Sequence, residues 1–298
     1  TNQVAEYWVK IPSVSSSANT IFYFYYRTQT TEDGADPTNV WDSNFKGVWH
    51  LKDYTTSSVK DSTANANDGT KKAANEPIEV DGKIGKAQDF DGTNDYISVP
   101  QSDTFDIPNG VGFTLEAWIK SDVLSGTKTI FVLRYYTSGI GACIGFWTYN
   151  TDLHRDIFND DRSVINTGTV GTTLTTGTWY YVVLRREAGG GVSAWVNTTK
   201  YSIGTHTGPI TNQNRGPNIG AHIYDPYPNG TQFFDGIIDE VRFSATARSA
   251  AWIKASYHSG NDSLLSYGEE ETVEVIVQLP TQQLALSQQT PTIITQKN

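Results

Sequence analysis

The residue types that suggest chemistry first are the oxygen donors of one short loop. Asp61, Ser62, Thr63, Ala64, Asn65, Ala66, Asn67, Asp68 and Gly69 place two carboxylates and two amides in a single polar turn. Donors at that density suit Ca2+, a hard cation that takes about six to eight carboxylate, amide and backbone oxygens. Gly69 permits the sharp turn such a loop needs. The same residues also make plain turns, in which Asp and Asn side chains bond their own backbone. The spacing is not that of a helix–loop–helix calcium site. Asp239 interrupts the alternation of Ile237, Val241 and Phe243, which predicts that it points inward. A carboxylate there needs a cation or hydrogen-bond donors. A second acidic run, Asp152, Asp156, Asp160 and Asp161 with His154 and Arg155 between, reads as a solvated loop, with a second cation site as the alternative.

Catalytic patterns are scarce. Retaining glycoside hydrolysis needs two carboxylates about 5–5.5 Å apart, which on one strand means even spacing. Glu116 is alone on its predicted strand, and the neighbours Asp239 and Glu240 are expected to face opposite ways. The five histidines, His50, His154, His206, His222 and His258, show no metal spacing. Neither a nucleophile elbow nor a phosphate loop is present. Cys143 is the single cysteine, so no intrachain disulfide forms, and its apolar neighbours predict a core position. The expectation is a protein that binds rather than catalyses.

The elements that must position these groups read as strands. The 298 residues include 8 Trp, 16 Tyr and 12 Phe, with 26 Gly to break them into segments. Strands are predicted over residues 47–51, 87–90, 96–99, 113–120, 129–135, 142–148, 179–186, 192–196, 218–221 and 236–243, with a helix over 248–257 capped by Ser249 and Gly260 beyond its end. Ahead of them, residues 7–11 and 21–26 predict a hairpin. After them, residues 273–277 predict a strand followed by a Gln- and Thr-rich tail. The expected division is therefore 1–45 (hairpin and linker), 46–267 (the main domain) and 268–298 (strand and polar tail). A net charge of −10 argues against nucleic acid, which is bound through clustered Lys and Arg. No apolar run is long enough for a membrane span. A chain that opens on Thr1 and contains no Met reads as a processed or excised segment, and suits an extracellular or cell-surface location.

Four segments then fall in one order. They are residues 87–100 (Phe90, Asp91, Gly92, Tyr96), 113–120 (Phe113, Glu116, Trp118), 178–183 (Trp179, Tyr180, Tyr181), and 235–253 (Asp235, Gly236, Asp239, Glu240, Arg248, Trp252). Together they resemble laminin-G-like, concanavalin-A-like domains, and the resemblance covers about residues 46–260. Residues 7–45 resemble the end of an uncharacterised domain that precedes such domains in archaeal and bacterial surface proteins. The resemblance implies an all-β fold: a two-sheet antiparallel β-sandwich, or jelly roll, with the N-terminal hairpin and the C-terminal strand as extensions. It also implies a structural Ca2+ at the sandwich rim, carried over to Asp61, Asn65, Asn67 and Asp239, with Asp68 and Asp91 as lesser candidates. Sugar sites in such folds use aromatic faces in loops and at strand ends. That nominates Trp147, Tyr149, His222, Tyr224, Asp225 and Tyr227, whereas Trp118 and Trp179 read as packing residues. The expected function is an extracellular, non-catalytic module binding a glycan or surface polymer, or serving adhesion. The alternatives are a structural subunit of a filament, coat or virion that self-associates through its terminal strands, and a glycoside hydrolase.

Overall fold

The computed structural model describes residues 6–15, 17–23, 36–134, 143–211, 215–223, 230–266 and 268. After a single helical turn, α1 (Pro37–Val40), the chain enters β1 (Phe45–Thr55), β2 (Ser58–Asp61), β3 (Gly69–Lys71), β4 (Ile78–Asp81), β5 (Lys86–Asp91) and β6 (Ile97–Ser98). It continues through β7 (Phe113–Ser121), β8 (Thr127–Arg134), β9 (Cys143–Tyr149), β10 (Asp152–Phe158), β11 (Ile165–Thr169) and β12 (Tyr180–Arg186). Then come β13 (Gly191–Val196), β14 (Thr199–Thr205), β15 (Asn218–Ile219), β16 (His222–Ile223), β17 (Gly230–Thr231), β18 (Asp235–Ser244) and α2 (Ala250–Gly260). The chain divides into a unit Thr1–Leu264 and a unit Leu265–Asn298. The predicted strand at 273–277 lies outside the described residues.

All described strand pairs are antiparallel. One ladder runs β11-β10-β9-β8-β15-β6-β3-β2-β1-β18-β7-β12-β13-β14, with β5 and β4 added beside β18. It folds over into two layers. Leu115, Val182, Ala194, Ile238 and Phe243 come from the first sheet, and Phe131, Ile144, Phe146, Leu153 and Ile157 from the second. They form one buried core, and Phe131 stacks on Phe243 across it with ring centroids 5.9 Å apart. Alternation along each strand sends every second side chain into this layer.

Four expectations are corrected. Residues 7–11 and 21–23 form no strand, and Phe24 to Tyr26 lie outside the described residues. Trp8 instead lays its ring on His50, centroids 3.8 Å apart, so the apolar residue meets a side chain rather than a strand partner. Residues 152–158 are not a solvated loop but the full strand β10, with Leu153, Arg155 and Ile157 inward. Arg155 escaped the apolar pattern, although its buried guanidinium bonds Asn166 Oδ1, Thr169 O and Ile203 O and so ties β11 to β14 at the sandwich's side. The helix α2 keeps its predicted Ser249 cap, which accepts from Trp252 N, but it includes Gly260 and ends at Asn261.

Asp239 is the fourth correction. A bulge in β18, with Glu240 at φ 51°, resets the alternation. Ile238, Val241 and Phe243 face the core, while Asp239 lies opposite Trp118 and Arg242 opposite Glu116 on the outer face. Asp239 and Glu240 are therefore not split between faces.

Candidate functional site

The outer face of the second sheet gathers aromatic and polar side chains from β9, β10, β11 and β16. Trp147 sits directly opposite His154 across the β9–β10 pair. Its ring lies over Gly145, two residues earlier on the same face. A Cβ at Gly145 would come within 2.1 Å of the indole, so only glycine lets the ring lie flat on the strand. His154 stacks on Trp147 from the β10 side, centroids 5.5 Å apart and planes 13° apart. His222 of β16 stacks on it as well, at 6.2 Å and 17°. Trp147 is left 7% exposed. Tyr149, at the end of β9, is 47% exposed and sets its ring edge-on to His154.

Polar groups continue the strip. Asp156 is two residues along β10 from His154 on the same face; its Oδ1 lies 3.5 Å from His154 Nε2 and accepts from the Thr167 hydroxyl of β11. His222 Nδ1 approaches Gln232 Oε1 at 3.3 Å. An exposed phenol ring beside an imidazole, with a carboxylate and a hydroxyl farther along the same strands, can offer one apolar face and several hydrogen-bonding groups to an extended polyol such as an oligosaccharide.

Of the predicted ligand residues, Trp147, Tyr149 and His222 are brought together, with different roles. Trp147 is a supporting pillar and Tyr149 the accessible ring. Tyr224, Asp225 and Tyr227 lie outside the described residues. His154, Asp156 and Thr167 were missed. Their signal was the alternation of Asp152, His154 and Asp156 against Leu153 and Ile157, hidden by reading the charges as a loop. The other carboxylates of that acidic run act as local caps. Asp152 accepts from Gly171 N, Thr172 N and Thr172 Oγ1; Asp160 from Thr211 N and Oγ1; Asp161 from Ser163 N and Asn159 Nδ2.

The six residues nominated for Ca2+ do not converge. Asp61 is 1% exposed, and its carboxylate is surrounded by donors. Oδ1 accepts from Val48 N at 3.0 Å and Thr63 N at 2.9 Å, and Oδ2 from Thr63 Oγ1 at 2.8 Å and Asn67 N at 2.9 Å. Asp68 accepts from Asp61 N. Asn65 and Asn67 turn their amide nitrogens to the carbonyls of Phe45 and Lys46. Asp91 closes its own turn through Thr93 N and Asn94 N, and Asp239 sits under the turn after β4. The Asp61 lone pairs already meet N–H and O–H groups, which does not fit a cation there, and among the described residues no three His, Cys, Asp or Glu side chains form a group able to hold a metal.

The first sheet's outer face is a contrasting site of buried charge. Asp239 Oδ2 accepts from Lys83 N and Ile84 N, both at 2.8 Å, while Oδ1 is buried without a partner. Burial, and then the neighbouring charge of Glu240, push the Asp239 carboxyl well up. Burial acts on Glu240 the same way, but His50 at 2.6 Å and Arg242 at 2.5 Å outweigh it and hold that carboxyl low. Arg242 also lies 3.8 Å from Glu116, which burial raises although Arg242 and a 3.1 Å hydrogen bond from Trp252 Nε1 oppose it. Trp8, Trp41 and the aromatic side of α2 (Trp252, Tyr257) cover this cluster and its neighbours Trp118 and Tyr181.

Comparison with known proteins follows the fold. A family profile described as the concanavalin A-like lectin/glucanases superfamily matches residues 91–254, more than half of the chain. No curated protein sequence matches. Among solved structures, domain 4 of AbnA, a GH43 extracellular arabinanase from Geobacillus stearothermophilus in complex with arabinotriose, aligns at 22% identity and TM-score 0.52, covering 71% of this chain and 97% of that one. A Trypanosoma rangeli sialidase in complex with sialic acid aligns at 17% and 0.54, covering 74% of this chain and 33% of that one. The binding domain of Paraclostridial Mosquitocidal Protein 1 aligns at 13% and 0.50, covering 75% and 53%. At these identities the likeness is one of fold.

Proposed function

The chain belongs to the concanavalin A-like lectin/glucanases superfamily, and from that premise we propose that it is a non-catalytic carbohydrate-binding module working in attachment outside the cell. The observation that supports this reading is the exposed Tyr149 ring beside the His222–Trp147–His154 stack, with Asp156 and Thr167 along the same face. The stack holds the ring nitrogens and the Asp156 carboxylate in fixed places, so a sugar meets a preformed surface. The apolar C–H face of one sugar unit lies on Tyr149, and the hydroxyls of the next unit of a chain meet His154 and Asp156, which follow along β10. Glu116, Asp239 and Glu240 are each at most 1% exposed, on the other sheet's outer face and paired with cations or backbone N–H groups. Acid–base catalysis needs carboxylates that reach a substrate.

Titration calorimetry with arabinotriose and with a sialoside tests the reading. Binding to one of them, or to a glycan found on an array, is expected to weaken about 10- to 100-fold in Tyr149→Ala while the melting temperature holds. Unchanged affinity in that variant overturns the site. Release of free sugar from arabinan or a sialoside overturns the non-catalytic part.

A further inference from the structure

We propose that the outer face of the second sheet holds an internal stretch of an unbranched glycan chain, in a row of side chains that begins at Tyr149 and ends at Ile165. This rests on the glycan-binding reading of that face and extends it from one exposed ring to a run of subsites. Tyr149 stands opposite Asp152 at the start of β10. Farther along, His154 stands opposite Thr169 of β11, Asp156 opposite Thr167, and Phe158 opposite Ile165. Alternation puts these residues on the face that carries Trp147. From the level of Asp152 to that of Phe158 the row advances about 20 Å, and two strand spacings of about 4.8 Å carry it from β9 to β11. That length takes about four units of an extended sugar chain, each about 5 Å.

The row is apolar at its ends and polar between them. Tyr149 is 47% exposed and Ile165 49%, and Thr167 and Thr169 are exposed along the stretch that joins them. The strand partner of Ile165, Phe158, is buried instead: it packs on Val132, and the Arg162 guanidinium covers its ring at 4.5 Å. A lone exposed isoleucine is ordinary on a protein surface; its place at the end of this row is what assigns it. A sugar chain offers C–H faces and a rim of hydroxyls. Its apolar faces meet Tyr149 at one end and Ile165 at the other, and its hydroxyls meet His154, Asp156 and the threonines between. Asp156 is held midway: its Oδ1 accepts from the Thr167 hydroxyl and lies 3.5 Å from His154 Nε2. β11 is the last strand of the ladder, so the row crosses a sheet face at its margin. A long chain can lie across such a surface, whereas a single terminal sugar touches only one part of it.

Titration calorimetry of the full chain against two ladders, arabino-oligosaccharides and cello-oligosaccharides of one to six units, reads the row by length. With the ladder that binds, affinity is expected to rise about 10-fold from two units to four and to level off beyond. Ile165→Ser removes the far apolar contact at an exposed position, so the melting temperature should hold, and the gain from two units to four is expected to shrink to about twofold. Tyr149→Ala is expected to weaken every length. A length dependence in Ile165→Ser equal to that of the native chain overturns the place of Ile165. Affinity that does not grow beyond two units, or binding confined to a terminal sugar, overturns the row and leaves the Tyr149 reading standing. No binding of either ladder at millimolar concentration overturns the row as a site for linear glycans, and a blank glycan array beside it overturns the Tyr149 reading as well.

Discussion

The two sheets of this sandwich share a core and differ on their outer faces. On the second sheet, Trp147 lies over Gly145 between two imidazoles and leaves Tyr149 in solvent. On the first, four ionisable groups, Glu116, Asp239, Glu240 and Arg242, are closed in by α2, Trp8 and Trp41. Aromatic rings serve both faces. In one they support an exposed ring, and in the other they exclude water from charges that are strong only when water is absent. The difference separates roles that the residue types alone do not: Trp near Asp and His marks a binding surface on one side and a sealed structural network on the other.

The largest effect that would break this comparison lies on the sealed face. Arg242→Met leaves Glu240 and Glu116 buried with one cation fewer. Removing one partner of a buried ion pair costs about 3–5 kcal/mol. Urea unfolding is expected to show that loss with an unchanged slope, while glycan affinity at Tyr149 per folded molecule stays as it was. A stability change under about 1 kcal/mol would mean that water reaches the cluster and that the two faces are alike.

How much of this was legible follows from where each signal lies. The ten predicted strands were visible because short apolar, β-forming runs recur between turn residues, alternating cleanly in residues 113–120. β10 was not, because the inward residue between Leu153 and Ile157 is Arg155, whose partners Asn166, Thr169 and Ile203 come from two other strands. The place of Asp239 was not legible either: alternation assumes an unbroken strand, and a single residue at positive φ, Glu240, turns both carboxylates to one face. Trp147 and Tyr149 were recognisable by type. That Trp147 would be covered, and Tyr149 not, depends on His222, 75 positions away.

Asp239 sharpens the comparison at the next scale. Its folded carboxyl is raised, toward about 8, so the folded state binds a proton there that the unfolded chain has released. Stability from this group is fully present below the ordinary carboxylate range and is lost as pH rises through the neutral range. The native chain is expected to melt progressively lower from about pH 5 to pH 8. Asp239→Asn keeps an oxygen for Lys83 N and Ile84 N without the charge, and should flatten that slope by about 1–2 kcal/mol. Equal slopes in the two proteins would mean that Asp239 is charged and solvated, and the first sheet's outer face open.

The smallest expected effect concerns the loop that joins the two halves of the ladder. If Asp61 is held by Val48 N, Thr63 N, Thr63 Oγ1 and Asn67 N, the loop is closed by its own donors, and an ion adds little. Melting curves with millimolar CaCl2 and with a chelator should then agree within about 1 °C, because only a ligand that prefers the folded state raises the midpoint. Asp61→Asn separates the two readings further. With hydrogen bonding alone, the amide nitrogen faces donors and the loop weakens equally with and without calcium. A rise of several degrees with calcium that is absent in Asp61→Asn would show that those N–H groups give way to an ion, and would make the rim a third kind of surface in which charge is neither sealed nor stacked but coordinated.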